Sequence, residues 1–364
     1  MSARNERVIV AMSGGVDSSV AAALLVKEGY ETIGVTMNIW PEVDSEAQAE
    51  RVGGCCSLSA AEDARRVCQT LGIPHYIMNF REAFREAVIE DFAKEYARGR
   101  TPNPCIRCNQ RVKFDSLLIK AVALGADYIA TGHYARREYN DSTGRYLLKR
   151  GVDHGKDQSY ALYTMTQEQL SKTLFPVGAL EKRQTRRIAA DLGLERVARK
   201  TESQEICFIP DNDYPKFLHG YTPNASRPGP ILDTDGKVLG EHTGIIHYTI
   251  GQRKGIGVHS NVPLYVIAID AERDAIVVGS NDALLEKTLV AEEINWISEE
   301  VSEPKRVSAK IRYRSDFAGA IISPRDGGVR VDFDEAQRAV TPGQAVVFYE
   351  GDLVVGGGTI TGVS

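Results

Sequence analysis

Two groups of residues in this chain can do chemistry. One is a Gly/Ser-rich turn, Ala11-Met12-Ser13-Gly14-Gly15-Val16-Asp17-Ser18 with Ser19 behind it; the other is a set of six cysteines. The turn follows the apolar run Val8-Ile9-Val10-Ala11 and opens an Ala/Leu/Val-rich segment that ends at Gly29. That pattern predicts strand, tight turn and helix. Backbone N–H groups in such a turn point into one concavity at a helix N-terminus, where phosphate binds. Other nucleotide motifs are excluded. Gly155-Lys156 and Gly236-Lys237 are followed by Asp157 and Val238, so no G-x-x-x-x-G-K-[ST] exists. Gly255 and Gly257 begin a dinucleotide-like run, but position 260 is Ser260 and no strand leads directly in.

Cys105 and Cys108 form a C-x-x-C within Thr101-Pro102-Asn103-Pro104-Cys105-Ile106-Arg107-Cys108-Asn109. The two prolines are expected to hold this stretch out of a helix, with Cys108 near the start of the helix that follows. There the helix dipole, Arg107 and Arg111 favour thiolate over thiol. Taken alone, a C-x-x-C fits zinc, a redox pair or an iron–sulfur ligand. Structural zinc needs a second spaced pair, and Cys55-Cys56 is adjacent. Cys207, between Ile206 and Phe208, reads in isolation as a small buried hydrophobe. So does Cys68, in an amphipathic segment.

These residues must be placed by the surrounding elements. At 364 residues the chain suggests two or three domains, and 43% hydrophobic with 26% charged residues is ordinary for a globular protein. No apolar run reaches membrane-spanning length and the N-terminus lacks a signal-peptide core, so a cytoplasmic protein without membrane contact is expected. Six cysteines in that setting argue against a disulfide framework. Residues 1–210 alternate strand and helix: strands over 31–39, 75–79 and 127–131, helices over 59–71, 80–96 and 112–124. This predicts an α/β doubly wound parallel sheet with ligands at the carboxyl ends of its strands, where Ser13, Met37 and Thr131-Gly132-His133 fall. Residues 211–284 are richer in Pro, Gly and Asn and read as a small β-rich domain. From 285 to 364, strand-turn-strand spacing predicts an antiparallel β-barrel. Net charge is −5, yet the basic residues cluster: five Lys/Arg and no acid over 98–113, seven against two acids over 182–200, five and no acid over 305–314. Clustered cations on an acidic protein suit a phosphodiester backbone. Arg312 shares a strand face with Lys310 and Arg314 by period two.

Together the motifs resemble the bacterial tRNA-specific 2-thiouridylases of the ATP pyrophosphatase superfamily. The turn at 11–18, Thr101-Pro102-Asn103-Pro104 with Cys108-Asn109, Ala130-Thr131-Gly132-His133-Tyr134, Lys156-Asp157-Gln158-Ser159-Tyr160, Leu174-Phe175-Pro176-Val177-Gly178, Ile206-Cys207-Phe208-Ile209, Gly251-Gln252-Arg253-Lys254-Gly255 and Thr341-Pro342-Gly343-Gln344 all match. The resemblance covers essentially the whole chain. It implies ATP-dependent thiolation at position 2 of the wobble uridine of tRNAs for Lys, Glu and Gln, through an adenylated base, with Mg²⁺ on the phosphates. It implies ATP contacts at Ala11, Met12, Ser13, Gly14, Gly15, Val16, Asp17, Ser18, Met37 and Gly132. It implies tRNA contacts at His133, Lys156, Asp157, Gln158, Arg312, Tyr313 and Gln344, with Asn103, Pro104 and Cys105 bordering the target base. Cys207 then carries a persulfide received from a sulfur-donor protein or cysteine desulfurase, and Cys108 attacks it, leaving a disulfide. Where the family's familiar pattern has Asp, this chain has Cys105. That leaves the acid/base role vacant and opens a second route, in which Cys105, Cys108 and Cys207 hold a [4Fe–4S] cluster whose open iron carries sulfide. The alternatives are another ATP pyrophosphatase, such as an amidating synthetase or a different tRNA thiolase, and a non-catalytic tRNA-binding iron–sulfur protein.

Overall fold

The computed structural model describes residues 5–39, 58–200, 206–209, 213–222 and 227–363. The chain divides into two compact units: 1–88, 105–212 and 352–354 form the first, and 89–104, 213–351 and 355–364 the second.

The first unit is built on β1 (Arg7–Ala11), α1 (Val16–Lys27), β2 (Glu31–Asn38), α2 (Leu58–Leu71), β3 (His75–Asn79), β4 (Tyr128–Ala130), the hairpin β5 (Ala135–Asn140) and β6 (Arg145–Arg150), and β7 (Thr173–Leu174). The parallel sheet runs β3-β2-β1-β4-β7. Its central strand is buried on both faces, which is why Val8-Ile9-Val10 is a continuous apolar run rather than an alternating one. The register Ala11↔Val35 and Val10↔Ala130 sets the carboxyl ends of β2, β1 and β4 side by side. Val20, Ala21 and Leu25 of α1 and Ala64 and Val67 of α2 pack with Val8 and Val10 in one core.

One helix is as expected and another needs correction. Residues 80–96 do form helix, but through Arg81–Phe84, a π-helical turn at Arg85–Ile89 and Glu90–Ala97. The helix expected from Val112 begins at Pro104. Proline is compatible with a first helical position because its missing N–H would be unpaired there anyway. Helix therefore runs Pro104–Arg107, π-helical Cys108–Ser116 and Leu117–Ala123, placing both cysteines within it. The β5–β6 hairpin gave no alternating signal in the sequence. Its Arg137 guanidinium lies over the Tyr146 ring at 5.0 Å, so a charged residue serves as packing.

The second unit holds a four-stranded sheet in the order β10-β11-β8-β9: β8 (Gly229–Leu232), β9 (Val238–His242), β10 (Tyr265–Asp270) and β11 (Ala275–Gly279). It also holds a closed antiparallel barrel of β12 (Leu285–Trp296), β13 (Lys305–Lys310), β14 (Ala318–Arg325), β15 (Gly328–Arg338), β16 (Ala345–Glu350) and β17 (Leu353–Val363), with β12 pairing β17. Leu289, Val331, Val346, Phe348 and Ile360 fill the barrel. β13 stops at Lys310, so Arg312 lies in the following turn and the period-two face proposed for residues 310–314 does not form. No described helix is long and apolar enough to cross a membrane.

Candidate active site

The Ser13–Ser19 turn is held by its own hydroxyls. Ser18 Oγ accepts from Ser13 N–H and donates to Gly15 O, both at 3.2 Å, and Ser19 Oγ donates to Gly15 O at 2.8 Å. The first intrahelical bond of α1 runs from Ser19 N–H to Gly15 O at 3.2 Å. The amides of Gly15, Val16, Asp17 and Ser18 thus have no intrahelical partner, the arrangement that receives an anion. Two glycines let neighbours close in. Gly14 has φ +64°, and a Cβ there would sit 2.2 Å from Ala60 O of α2. At Gly132 a Cβ would sit 2.5 Å from Ser18 N and 2.7 Å from the Asp17 carbonyl carbon. Met12 and Met37 are both buried, and Thr36 Oγ1 donates to Met12 O at 3.0 Å, tying the two strand ends.

Asp17 is the charged residue of the turn. Lys182 Nζ, from the helix Lys182–Asp191, donates to both of its carboxylate oxygens at 2.8 and 2.7 Å. The Tyr134 hydroxyl donates to Oδ1 at 2.8 Å and lies 2.9 Å from Thr185 Oγ1. Burial, and secondly the Asp17 charge, push the Tyr134 hydroxyl pKa up, so it stays a donor. Tyr134 closes the Ala130–Tyr134 motif, whereas Lys182 and Thr185 were invisible as site residues in the sequence; no motif spacing links them to the turn.

The residues expected to face RNA are largely engaged inside the protein. His133 is 8% exposed, with rings of Phe114 and Phe175 5.9 and 6.4 Å away and Thr131 Oγ1 2.8 Å from Nδ1. Burial, helped by the Lys113 charge, drives its pKa well down, so the ring is neutral. Asp157 accepts from Gly151 N–H and Ser159 N–H at 3.1 Å and pairs with Arg150 at 3.3 Å. Gln158 Oε1 accepts from Tyr134 N–H at 3.0 Å. Lys156 closes the adjacent turn, its N–H on Asp153 O at 3.0 Å. In the second unit, Gln344 Nε2 donates to Thr101 O at 2.8 Å and Thr101 N–H donates to Pro342 O at 2.9 Å. The 341–344 turn thus clasps the strand of chain that leads to Asn103 and Pro104. Tyr313 is 42% exposed, and Arg312 donates to Arg338 O at 2.8 Å. The basic runs are threaded with ion pairs, Arg98 with Glu95 and Arg306 with Asp334 among them, which lowers their net field.

Cys105 is exposed, Cys108 and Cys207 are half-buried, and the structure carries them as thiols. The helix that Cys108 enters packs on Arg81–Phe84, whose Phe84 ring meets Phe208 edge-on at 5.6 Å. Both thiol segments therefore flank the same helical turn. Cys55 and Cys56 lie outside the described residues. Among the described residues no group of three or more His, Cys, Asp or Glu is placed to hold a metal ion.

Three family models match in succession: a tRNA methyl transferase HUP domain over residues 6–211, a tRNA methyl transferase PRC-barrel domain over 215–280 and an aminomethyltransferase beta-barrel domain over 286–360. The tRNA-specific 2-thiouridylase MnmA of Heliobacterium modesticaldum is 58% identical over 98% of this chain and 92% of its own. The chain belongs to the tRNA-specific 2-thiouridylase family. The like-named protein of Acetivibrio thermocellus is 56% identical over 98% of this chain and 99% of its own, and that of Clostridioides difficile 52% over 98% of each. Membership sets aside the amidating-synthetase reading, and the three matched domains cover the α/β sheet, the middle β-rich sheet and the closed barrel in turn.

Proposed function

We propose that this chain is a tRNA-uridine 2-sulfurtransferase that uses ATP to thiolate position 2 of the wobble uridine in tRNAs for Lys, Glu and Gln. What carries the reading is a full-length likeness to 2-thiouridylases in a chain that keeps the phosphate turn, whose leading amides have no intrahelical partner. The uracil O2 is a poor leaving group. Its attack on the α-phosphate of ATP forms an adenylate and expels pyrophosphate. The Gly15–Ser18 amides bind that pyrophosphate, and Gly14 and Gly132 keep the walls close. Mg²⁺ would be held by the phosphates, since Lys182 and Tyr134 already occupy the Asp17 oxygens, and would offset charge there. The target base leaves its stack to reach the turn.

For sulfur we favour the thiol route. A donor protein leaves Cys207 as a persulfide. The Cys108 thiolate attacks the Cys207 Sγ, forms a Cys108–Cys207 disulfide and releases hydrosulfide. Hydrosulfide adds to C2, AMP leaves, and a dithiol reductant resets the pair. No step is assigned to an iron–sulfur cluster, because the described residues do not bring three donors together. Asn103, Pro104 and Cys105 border the base, with Gln344 positioning them through Thr101; Lys156, Arg312 and Tyr313 supply RNA contacts, and His133, Asp157 and Gln158 stiffen the wall behind. The domains follow as catalytic 1–210, linker 211–284 and tRNA-binding barrel 285–364. Nucleoside analysis of tRNA from cells lacking the protein tests the function: loss of 2-thiouridine at the wobble position supports it, and unchanged 2-thiouridine refutes it.

A further inference from the structure

The Ser13–Ser19 turn contains no lysine or arginine, yet ATP brings about four negative charges to it. The positive charge must come from another part of the fold. Lys182 is mostly buried, at 11% side-chain exposure, and its ammonium is bound to both oxygens of Asp17. A second cation lies at Gly14. Ala60 of α2 fills the space behind Gly14, and one turn further along the same helix stands Asp63, a carboxylate only 4% exposed. Lys200 Nζ donates to Asp63 Oδ2 at 3.1 Å and to Gly14 O at 3.2 Å. Arg196 Nε lies 2.8 Å from Asp63 Oδ1 without hydrogen-bond alignment, so that oxygen stays short of a hydrogen bond.

We infer that Lys200 is a further ATP-contacting residue, which binds the β/γ-phosphates and is aimed at the turn by Asp63. The inference rests on the ATP reading above. A buried carboxylate anchors cations where they offset its desolvation. The Lys200 side chain is 38% exposed, so its ammonium can turn from the Gly14 carbonyl to a phosphate without leaving a buried void. The carbonyl it now caps belongs to the phosphate turn itself, so the movement needed is a side-chain rotation.

The test is calorimetric binding of ATP, and separately of AMP, to the full-length wild type and to Lys200→Met, Lys200→Arg and Asp63→Asn. A lost charge-assisted contact to phosphate predicts ATP affinity down roughly ten- to a hundred-fold in Lys200→Met. AMP, lacking the outer phosphates, should change by less than about two-fold on the same argument. Lys200→Arg should restore most of the ATP affinity, and Asp63→Asn should fall between. ATP binding by Lys200→Met at the wild-type level, or equal losses for ATP and AMP, overturns the assignment of Lys200. A wild type that binds no ATP refutes the ATP reading itself.

Discussion

Gly14 and Gly72 share a backbone conformation and differ in what surrounds them, which isolates the close packing of the phosphate turn. Both have left-handed φ, +64° and +68°. Alanine at either should cost about 1–2 kcal/mol in backbone strain. At Gly72 nothing lies within 4 Å of the added Cβ. At Gly14 the Cβ falls 2.2 Å from Ala60 O and 2.8 Å from Ala60 C and Cα. These are main-chain atoms of a helix, so no flexible side chain can yield. Restoring ordinary contact requires a shift of about 1 Å between turn and α2, adding about 1–3 kcal/mol. Gly72→Ala should therefore lower the melting temperature by about 2–8 °C and Gly14→Ala by about 4–20 °C, at about 2–4 °C per kcal/mol for a unit of this size. The functional difference should be larger. A 1 Å misplacement of the phosphate amides should reduce tRNA-dependent AMP release by about a hundred-fold in Gly14→Ala, while Gly72→Ala keeps near-wild-type turnover. Thermal unfolding and a radiolabelled ATP assay measure both. Two variants that melt together and release AMP at the same rate would show that the turn is not packed against α2.

Cys108→Ser and Cys207→Ser should each abolish thiolation while tRNA binding, read by gel shift, survives; normal 2-thiouridine from either variant removes it from the sulfur route. Burial pushes the Cys68 thiol up to about 11. At pH 8 its thiolate fraction is about two-hundred-fold below that of an ordinary cysteine, so mass-mapped alkylation should spare Cys68 until the protein unfolds and modify the exposed Cys105; early Cys68 labelling contradicts its burial. His133 has a folded pKa well below its unfolded value, chiefly through burial. Its neutral form is the stable one, so its contribution is complete above about pH 6.5 and lost as pH falls from there toward the folded pKa. His133→Gln should flatten the stability profile between about pH 6.5 and 5, and urea titrations giving the wild-type slope would count against a buried neutral ring.

The strand-turn-helix opening, the parallel sheet and the barrel were legible because each rests on local periodicity or turn chemistry. The apolar run Val8-Ile9-Val10 ahead of Gly14-Gly15 marked strand and turn. The sequence was misleading where one residue type has two compatible uses. Pro104 was read as a helix blocker, yet it occupies a first helical position, where it costs nothing, and this moved the helix start ahead of both cysteines. Arg136-Arg137-Glu138 concealed a strand because Arg137 packs through its stem and guanidinium on Tyr146. The motifs holding His133 and Asp157 gave no sign of their internal partners, aromatic rings around the first and N–H donors on the second.

The polar frame of the phosphate turn was illegible for a different reason. It consists of pairs between residues far apart in sequence: Asp17 and Lys182 are separated by 165 positions, Gly14 and Lys200 by 186. A turn with no cation of its own must borrow charge, and each loan is secured by a carboxylate, Asp17 for one lysine and Asp63 for the other. The two arrangements differ in freedom. Lys182, buried and bound through both oxygens, fixes the first turn of α1 against the helix Lys182–Asp191. Lys200, more than a third exposed and resting on a carbonyl, is placed where a phosphate can displace that carbonyl. One lysine thus sets the geometry of the turn and the other is left to respond to its ligand, a division that follows from burial rather than from any motif.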